Sequence, residues 1–169
     1  MVVCDTSPIV SLAMIGQASV LGSLYHTLCI PPSVYDEIVA GDGQAGAVEV
    51  QDWQWVQVRP VSNTTVARVL ALSLDTGESE AIALALESAP ELLLLDERKA
   101  RRVAIRLGLP VAGTLDALVA AKQAGLIPAV RPVLDDLLVR AHFRVGRALY
   151  QKLLKSVGED PAPEQSIGD

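Results

Sequence analysis

The chain reads as an α/β protein whose mainly parallel sheet is wrapped on both faces by helices. Two observations predict this. Short apolar strands alternate with helical patterns along the 169 residues, the signature of crossover-connected parallel strands. One of those strands, "ELLLLD", is apolar without interruption, as a strand buried on both faces is. The composition agrees: half the residues are apolar and only 4% are aromatic, which describes a Leu/Val/Ala core. The length suits one domain with a full core, 1–155, followed by a disordered acidic tail, 156–169.

Taken in order, Val2–Cys4 is the first strand, followed by helices over Pro8–Ile15 and Ala18–Tyr25. Pro8 suits a first helical turn, where its missing N–H has no partner to lose, and Ser7 is then the natural N-cap. Leu28–Ile30 is the second strand, and "PPSVYDEIVA" opens a helix after two prolines. "GDGQAG" reads as a loop, "AVEVQDW" as a short helix and "VQVRPV" as an alternating strand. Helices follow over Thr65–Leu74 and Thr76–Ser88. After the "LLLL" strand, "ERKARRVAIRLG" is a helix ending at Gly108, and "LPVAG" is a short strand. "TLDALVAAKQAG" is a helix capped by Thr114 and ending at Gly125, and "RPVLDDLLVRA" and "VGRALYQKLLKSV" are two more.

Composition also excludes function classes. Lys and Arg number 14 against 20 Asp and Glu, a net charge of −6, which argues against a protein that coats nucleic acid non-specifically. The charge is uneven: 131–155 carries six Lys/Arg against two Asp/Glu, a locally basic stretch on an acidic molecule. No apolar run approaches the ~18 residues that span a membrane. The first residues lack a basic n-region and meet Asp5 almost at once, which argues against a signal peptide. Cys4 and Cys29 fall within strands and read as small buried hydrophobes in a reducing cytoplasm.

Four acids stand out. In parallel sheets, sites form outside the carboxyl ends of the strands, and Asp5 and Asp96 each follow a strand. Asp5 is not needed as a cap, because Ser7 is available. Asp96 precedes a helix and reads equally as its N-cap. In "LDTGESEAIALAL", Asp75 and Glu78 form a variant capping box, which leaves Glu80 as either a solvated surface residue or a site carboxylate. Glu37 lies about 60–80° around its helix from the Val34/Ile38 stripe, where it can rim a cleft, whereas Asp36 lies nearly opposite. Carboxylates that converge repel one another unless a cation sits among them, and hard oxygen ligands select Mg²⁺ or Mn²⁺. His26 and His142 stand alone, which disfavours zinc. A carboxylate-held Mg²⁺ suits phosphodiester hydrolysis, so the residues themselves lead to a candidate metal-dependent phosphoesterase.

Four motifs in order, "VVCDTSPIVSL", "PPSVYDEI", "LDTGESEAIALAL" and "LLLLDERKARRVAIRLGLPVAGTL", resemble those of PIN-domain nucleases, nearest to the VapC-like toxin ribonucleases. The resemblance covers nearly the whole chain to about residue 155. It implies a three-layer α/β/α sandwich with a mainly parallel sheet of about four or five strands. By resemblance the catalytic set is Asp5, Glu37, Glu80 and Asp96, with Asp5, Glu80 and Asp96 as ligands of Mg²⁺ or Mn²⁺. Ser7 is the hydroxyl neighbour of Asp5, and Thr114 and Asp116 take the place of a further polar or acidic pair. Glu80 departs from the Asp of many relatives, and its longer reach alters that ligand position. The activity that the resemblance implies is a metal-dependent endoribonuclease, the toxin of a toxin–antitoxin pair that is held by a small antitoxin and forms a homodimer.

Other strand-Asp folds fit less well. A haloacid-dehalogenase-like phosphatase needs a second Asp where Ser7 stands, a dinucleotide-binding fold needs glycines after the first strand, and no P-loop is present. The rival of another class is a PIN-fold module that is weak or inactive as an enzyme and binds RNA or a protein partner. Two basic stretches bear on partners. Arg98 and Arg102, on the helix after Asp96, read as guides for RNA phosphates or as an ordinary solvated face. Arg140, Arg144, Arg147 and Lys155 share a face if their helix is continuous, opposite a Val145, Leu149, Leu153 stripe fit for a partner helix, and Gly146 is where that helix would break.

Overall fold

The computed structural model describes residues 1–41 and 50–160. Five strands form one parallel sheet: β1 (Val2–Cys4), β2 (Leu28–Ile30), β3 (Val56–Val58), β4 (Leu92–Leu94) and β5 (Val111–Ala112), in the order β3-β2-β1-β4-β5. The helices are α1 (Thr6–Met14), α2 (Ser19–Tyr25), α3 (Pro32–Ala40), α4 (Thr64–Leu70), α5 (Thr76–Ser88), α6 (Arg98–Arg106), α7 (Thr114–Gln123), α8 (Val130–Arg140) and α9 (Arg147–Ser156). A 3-10 turn at Val50–Asp52 precedes β3. The "GDGQAG" loop after Gly41 and the start of "AVEVQDW" lie outside the described residues, as do 161–169.

The strands alternate their side chains between two cores, as the pleat requires. Val2, Cys4, Leu28, Ile30 and Leu94 face one cluster, built with α1, α2, α3, α7, α8 and α9. Val3, Cys29, Leu93 and Leu95 face the other, built with α5 and α6. This is the expected α/β/α sandwich. Register holds the central strands level, with Val2 opposite both Leu28 and Leu92 and Cys4 opposite Leu94. Both cysteines are free and buried. Among the described residues no helix is long and apolar enough to cross a membrane.

Several element boundaries differ from expectation. Helix α1 begins at Thr6, so Asp5 occupies the N-cap position and Ser7 lies exposed inside the first turn. Thr114 is the first residue of α7 rather than its cap, which is Gly113. The "VQVRPV" strand contracts to three residues, because β3 is a half-exposed edge with a partner on one side only. Arg140 ends α8 and Gly146 caps α9, so Arg140, Arg144 and Arg147 do not share one helix. Beyond Ser156 the chain stays tied to the domain: Glu159 accepts bonds from the Val130 and Arg131 amides at 2.7 and 2.8 Å and pairs with Lys122 at 2.7 Å.

Candidate acidic site

The strand order reverses between β1 and β4: β2 and β3 lie on one side of β1, β4 and β5 on the other. Such a switch point opens a crevice beyond the carboxyl ends of the two strands. Asp5 follows β1 directly, and its amide donates to Leu94 O at 3.0 Å, which locks it to the end of β4. Asp96 follows β4 two residues later. The two aspartates therefore leave neighbouring strands at one end of the sheet, and both charges act on the buried Cys4 thiol.

Asp5 is only 3% exposed. Its carboxyl is pushed up to about 7, first by burial and then by the charges of Asp75, Glu78 and Glu37, against the opposing effect of the Thr6 amide. Glu37 reaches this neighbourhood from α3. It is exposed, its Oε2 accepts a short bond from the Thr6 hydroxyl, and it lies against Gly77 at the start of α5. The Thr6 hydroxyl is thus joined to Glu37, while Ser7 is exposed beside it.

Glu78 is the residue that sequence reasoning passed over. The capping box exists as read: the Glu78 amide donates to Asp75 Oδ1 at 2.8 Å, and the Asp75 amide donates to Glu78 Oε2 at 3.3 Å. That explanation hid a second fact. Glu78 is 5% exposed, its pKa is raised by burial and by Asp75, and its charge acts on Asp5. The available signal was position, since the first turn of α5 follows a loop at the same end of the sheet. Glu80 is half-buried rather than solvated, and its Oε2 accepts from the Ser33 amide in the first turn of α3 at 3.3 Å.

Asp96 does not cap its own helix. Glu97 does that, accepting from the Lys99 amide. Asp96 instead accepts from Thr114 twice, from the amide at 2.7 Å and from the hydroxyl at 2.6 Å, and so binds the start of α7. Burial raises its pKa, while these two bonds and Arg101 oppose the rise. Thr114 is fully buried. Asp116 is exposed; it accepts from the Gly113 amide at 2.8 Å and pairs with Arg101 at 3.5 Å. Gly113 leaves no room for a side chain, because a Cβ there would stand 2.5 Å from Arg101 Nη1 and 2.7 Å from Asp96 Oδ1.

A cleft of about 530 Å³ opens beside Asp96, between the start of α6, the start of α7 and the α8–α9 connection. Arg98 and Arg101 line it. Arg102 does not; its Nε donates to Arg98 O at 3.3 Å within the helix.

The donor set is all oxygen, which suits a hard divalent cation. A carboxylate raised to about 7 first by burial and then by acidic neighbours is also a place where a cation relieves repulsion. Among the described residues, no three His, Cys, Asp or Glu side chains are already grouped as ligands of one ion.

A family model described as PIN domain matches residues 1–159. No curated protein and no solved structure matches the chain.

Proposed function

The chain belongs to the PIN-domain family, a nuclease fold whose substrate is nucleic acid and which usually works with divalent metal, and from that premise we propose that it is a Mg²⁺- or Mn²⁺-dependent endoribonuclease. The observation that carries this reading is the exit of Asp5 and Asp96 from adjacent central strands at the switch point, with Asp5 buried and surrounded by acids. Asp5 and Asp96 would hold the cation, joined by an acid of α5, with Glu37 at the rim. When bound, such an ion supplies an activated water and neutralises charge on the phosphate. The residues of the chain position the rest. Thr114 orients Asp96, Thr6 restrains Glu37, and Arg101 offsets part of the negative charge around Asp96.

Two α5 acids compete for the ligand role. Glu80 is favoured by the motif, and Glu78 by its action on Asp5. Glu78→Gln and Glu80→Gln separate them, since each keeps the oxygen that accepts the backbone bond. The decisive experiment is cleavage of single-stranded RNA by the purified chain with Mg²⁺ or Mn²⁺. Asp5→Asn and Asp96→Asn are expected to lower the rate by orders of magnitude, and of the two glutamines only the ligand's should do so. If the wild type cuts no RNA with either ion, the enzyme reading falls.

One observation favours the rival, a PIN fold that binds RNA or a partner without cutting: both Asp96 oxygens already accept bonds from Thr114. RNA binding without cleavage is its expected result. The toxin role adds a small antitoxin and a homodimer. Its expected result is a complex that co-purifies with a small neighbouring gene product and regains RNase activity when that protein is stripped away.

A further inference from the structure

The cleft beside Asp96 has walls of two kinds. Arg98, Arg101 and Arg144 bring guanidinium groups to it, while Phe143, Leu115 and Leu149 bring a flat ring and aliphatic surface. Arg101 is engaged, donating to Leu95 O at 2.9 Å and pairing with Asp116, whereas Arg98 and Arg144 are exposed. Phe143 is the one phenylalanine of the chain. It is half-buried against the core, and its amide donates to Leu137 O at 3.0 Å. The residue before it, His142, holds a φ of 51°, in the left-handed region that side-chain-bearing residues seldom adopt. This turn ends the α8 direction and delivers Phe143 and Arg144 to the cleft.

An aromatic face next to exposed guanidinium groups matches one nucleotide of a single strand, whose base offers a π-face and whose phosphates offer charge. A duplex keeps its base faces stacked inside. An apolar peptide helix would cover the Phe143 wall and bring no anion to Arg98 or Arg144. We propose that this cleft is a nucleotide subsite, in which Phe143 stacks on one base of single-stranded RNA while Arg98 and Arg144 pair with the flanking phosphates and lead the strand to Asp96. The subsite rests on the nuclease reading above, and it adds a specificity element made by the α8–α9 connection.

The test is the affinity of the full chain for a short labelled oligouridylate, measured by fluorescence anisotropy in EDTA so that cleavage plays no part. Phe143→Leu keeps an apolar side chain and should weaken binding by about five- to a hundredfold, the range for loss of one stacked base. Phe143→Trp should restore it, which separates stacking from a packing defect, and circular dichroism checks that both variants fold. Arg144→Gln should reduce the slope of log affinity against log salt by about 0.7, one phosphate's share on a single strand. An oligonucleotide of abasic units should bind wild type and Phe143→Leu alike. If wild type binds and cuts RNA but Phe143→Leu and Arg144→Gln bind as wild type does, the subsite is overturned, the nuclease reading stands, and the apolar wall is left to a protein partner. If wild type binds no RNA in EDTA yet cuts it with Mg²⁺ or Mn²⁺, the subsite is overturned and the nuclease reading stands; if it neither binds nor cuts, both fall.

Discussion

Asp5 carries a conflict, a carboxylate 3% exposed with three other acids acting on it. Its folded pKa, about 7, lies above the 3.8 of an unperturbed aspartate. The folded state therefore holds a proton that the unfolded chain releases. The stability tied to it is complete below about pH 4 and is lost as pH rises through 7, at about 1.4 kcal/mol per unit and about 4 kcal/mol in all. Asp5→Asn removes the titration. In urea unfolding without metal it should be more stable than wild type at pH 8 by a few kcal/mol, with the gap closing at pH 4. An equal gap at both pH values would show that folding does not raise the Asp5 pKa. Gly113 gives a second test at this scale. Gly113→Ala forces a methyl to within 2.7 Å of Asp96 Oδ1, so the Asp96–Thr114 bonds must open. We expect a loss of about 1–3 kcal/mol by thermal unfolding, typical of an overpacked site, and, on the endoribonuclease proposed above, RNA cleavage falling further than stability explains.

At the scale of elements, acids bind helix starts to their neighbours. Asp96 serves the start of α7, Glu80 serves α3, and Glu159 serves α8. Each helix N-terminus offers unpaired N–H groups and a positive dipole end, so a carboxylate from another element joins two pieces of chain. Lys122 and the Val130 and Arg131 amides hold the Glu159 carboxyl below its ordinary range even though burial pushes it up. Glu159→Gln should lower stability by about 1–3 kcal/mol, the range for a hydrogen-bonded charged group, and should speed amide exchange at the start of α8. Unchanged exchange there would mean that the latch holds nothing. The same scale explains what was hard to read. A carboxylate ahead of a helix looks like that helix's own cap, as Asp96 did, because a sequence pattern carries local partners and not the one 18 residues away.

At the scale of the whole molecule, the acids come from four places, the ends of β1 and β4, α3 and the start of α5, and the repulsion that Glu37, Asp75 and Glu78 exert on Asp5 is a property of the assembled fold. A divalent cation that binds among them in the folded state alone must stabilise it by mass action. Mn²⁺ at about a hundred times its dissociation constant should add roughly 3 kcal/mol, read as a rise in melting temperature that Asp5→Asn abolishes. A rise of equal size in Asp5→Asn would place the ion elsewhere. The charge layout is also molecular: the cleft's arginines come from both α6 and the α8–α9 connection, which are 46 residues apart at Arg98 and Arg144.

Much of this was open to reading in one dimension. The alternation of apolar strands and amphipathic helices determines a parallel sheet with helices on both faces, because the period of the pattern sets which faces must be buried. It placed β1, β2 and α5 at their observed bounds, and it put Asp5 and Asp96 at strand ends, where parallel sheets open their sites. Tertiary structure decided the rest. Local grammar assigned Glu78 wholly to its capping box, and only packing shows that the same buried side chain acts on Asp5. Nearness to Asp96 in the sequence singled out Arg98 and Arg102 alike, and only the fold shows Arg98 lining the cleft with Arg144 while Arg102 turns back to its own helix. The reason is common to both: a sequence pattern reports which face of an element is apolar, whereas burial, repulsion and access depend on which distant element that face meets.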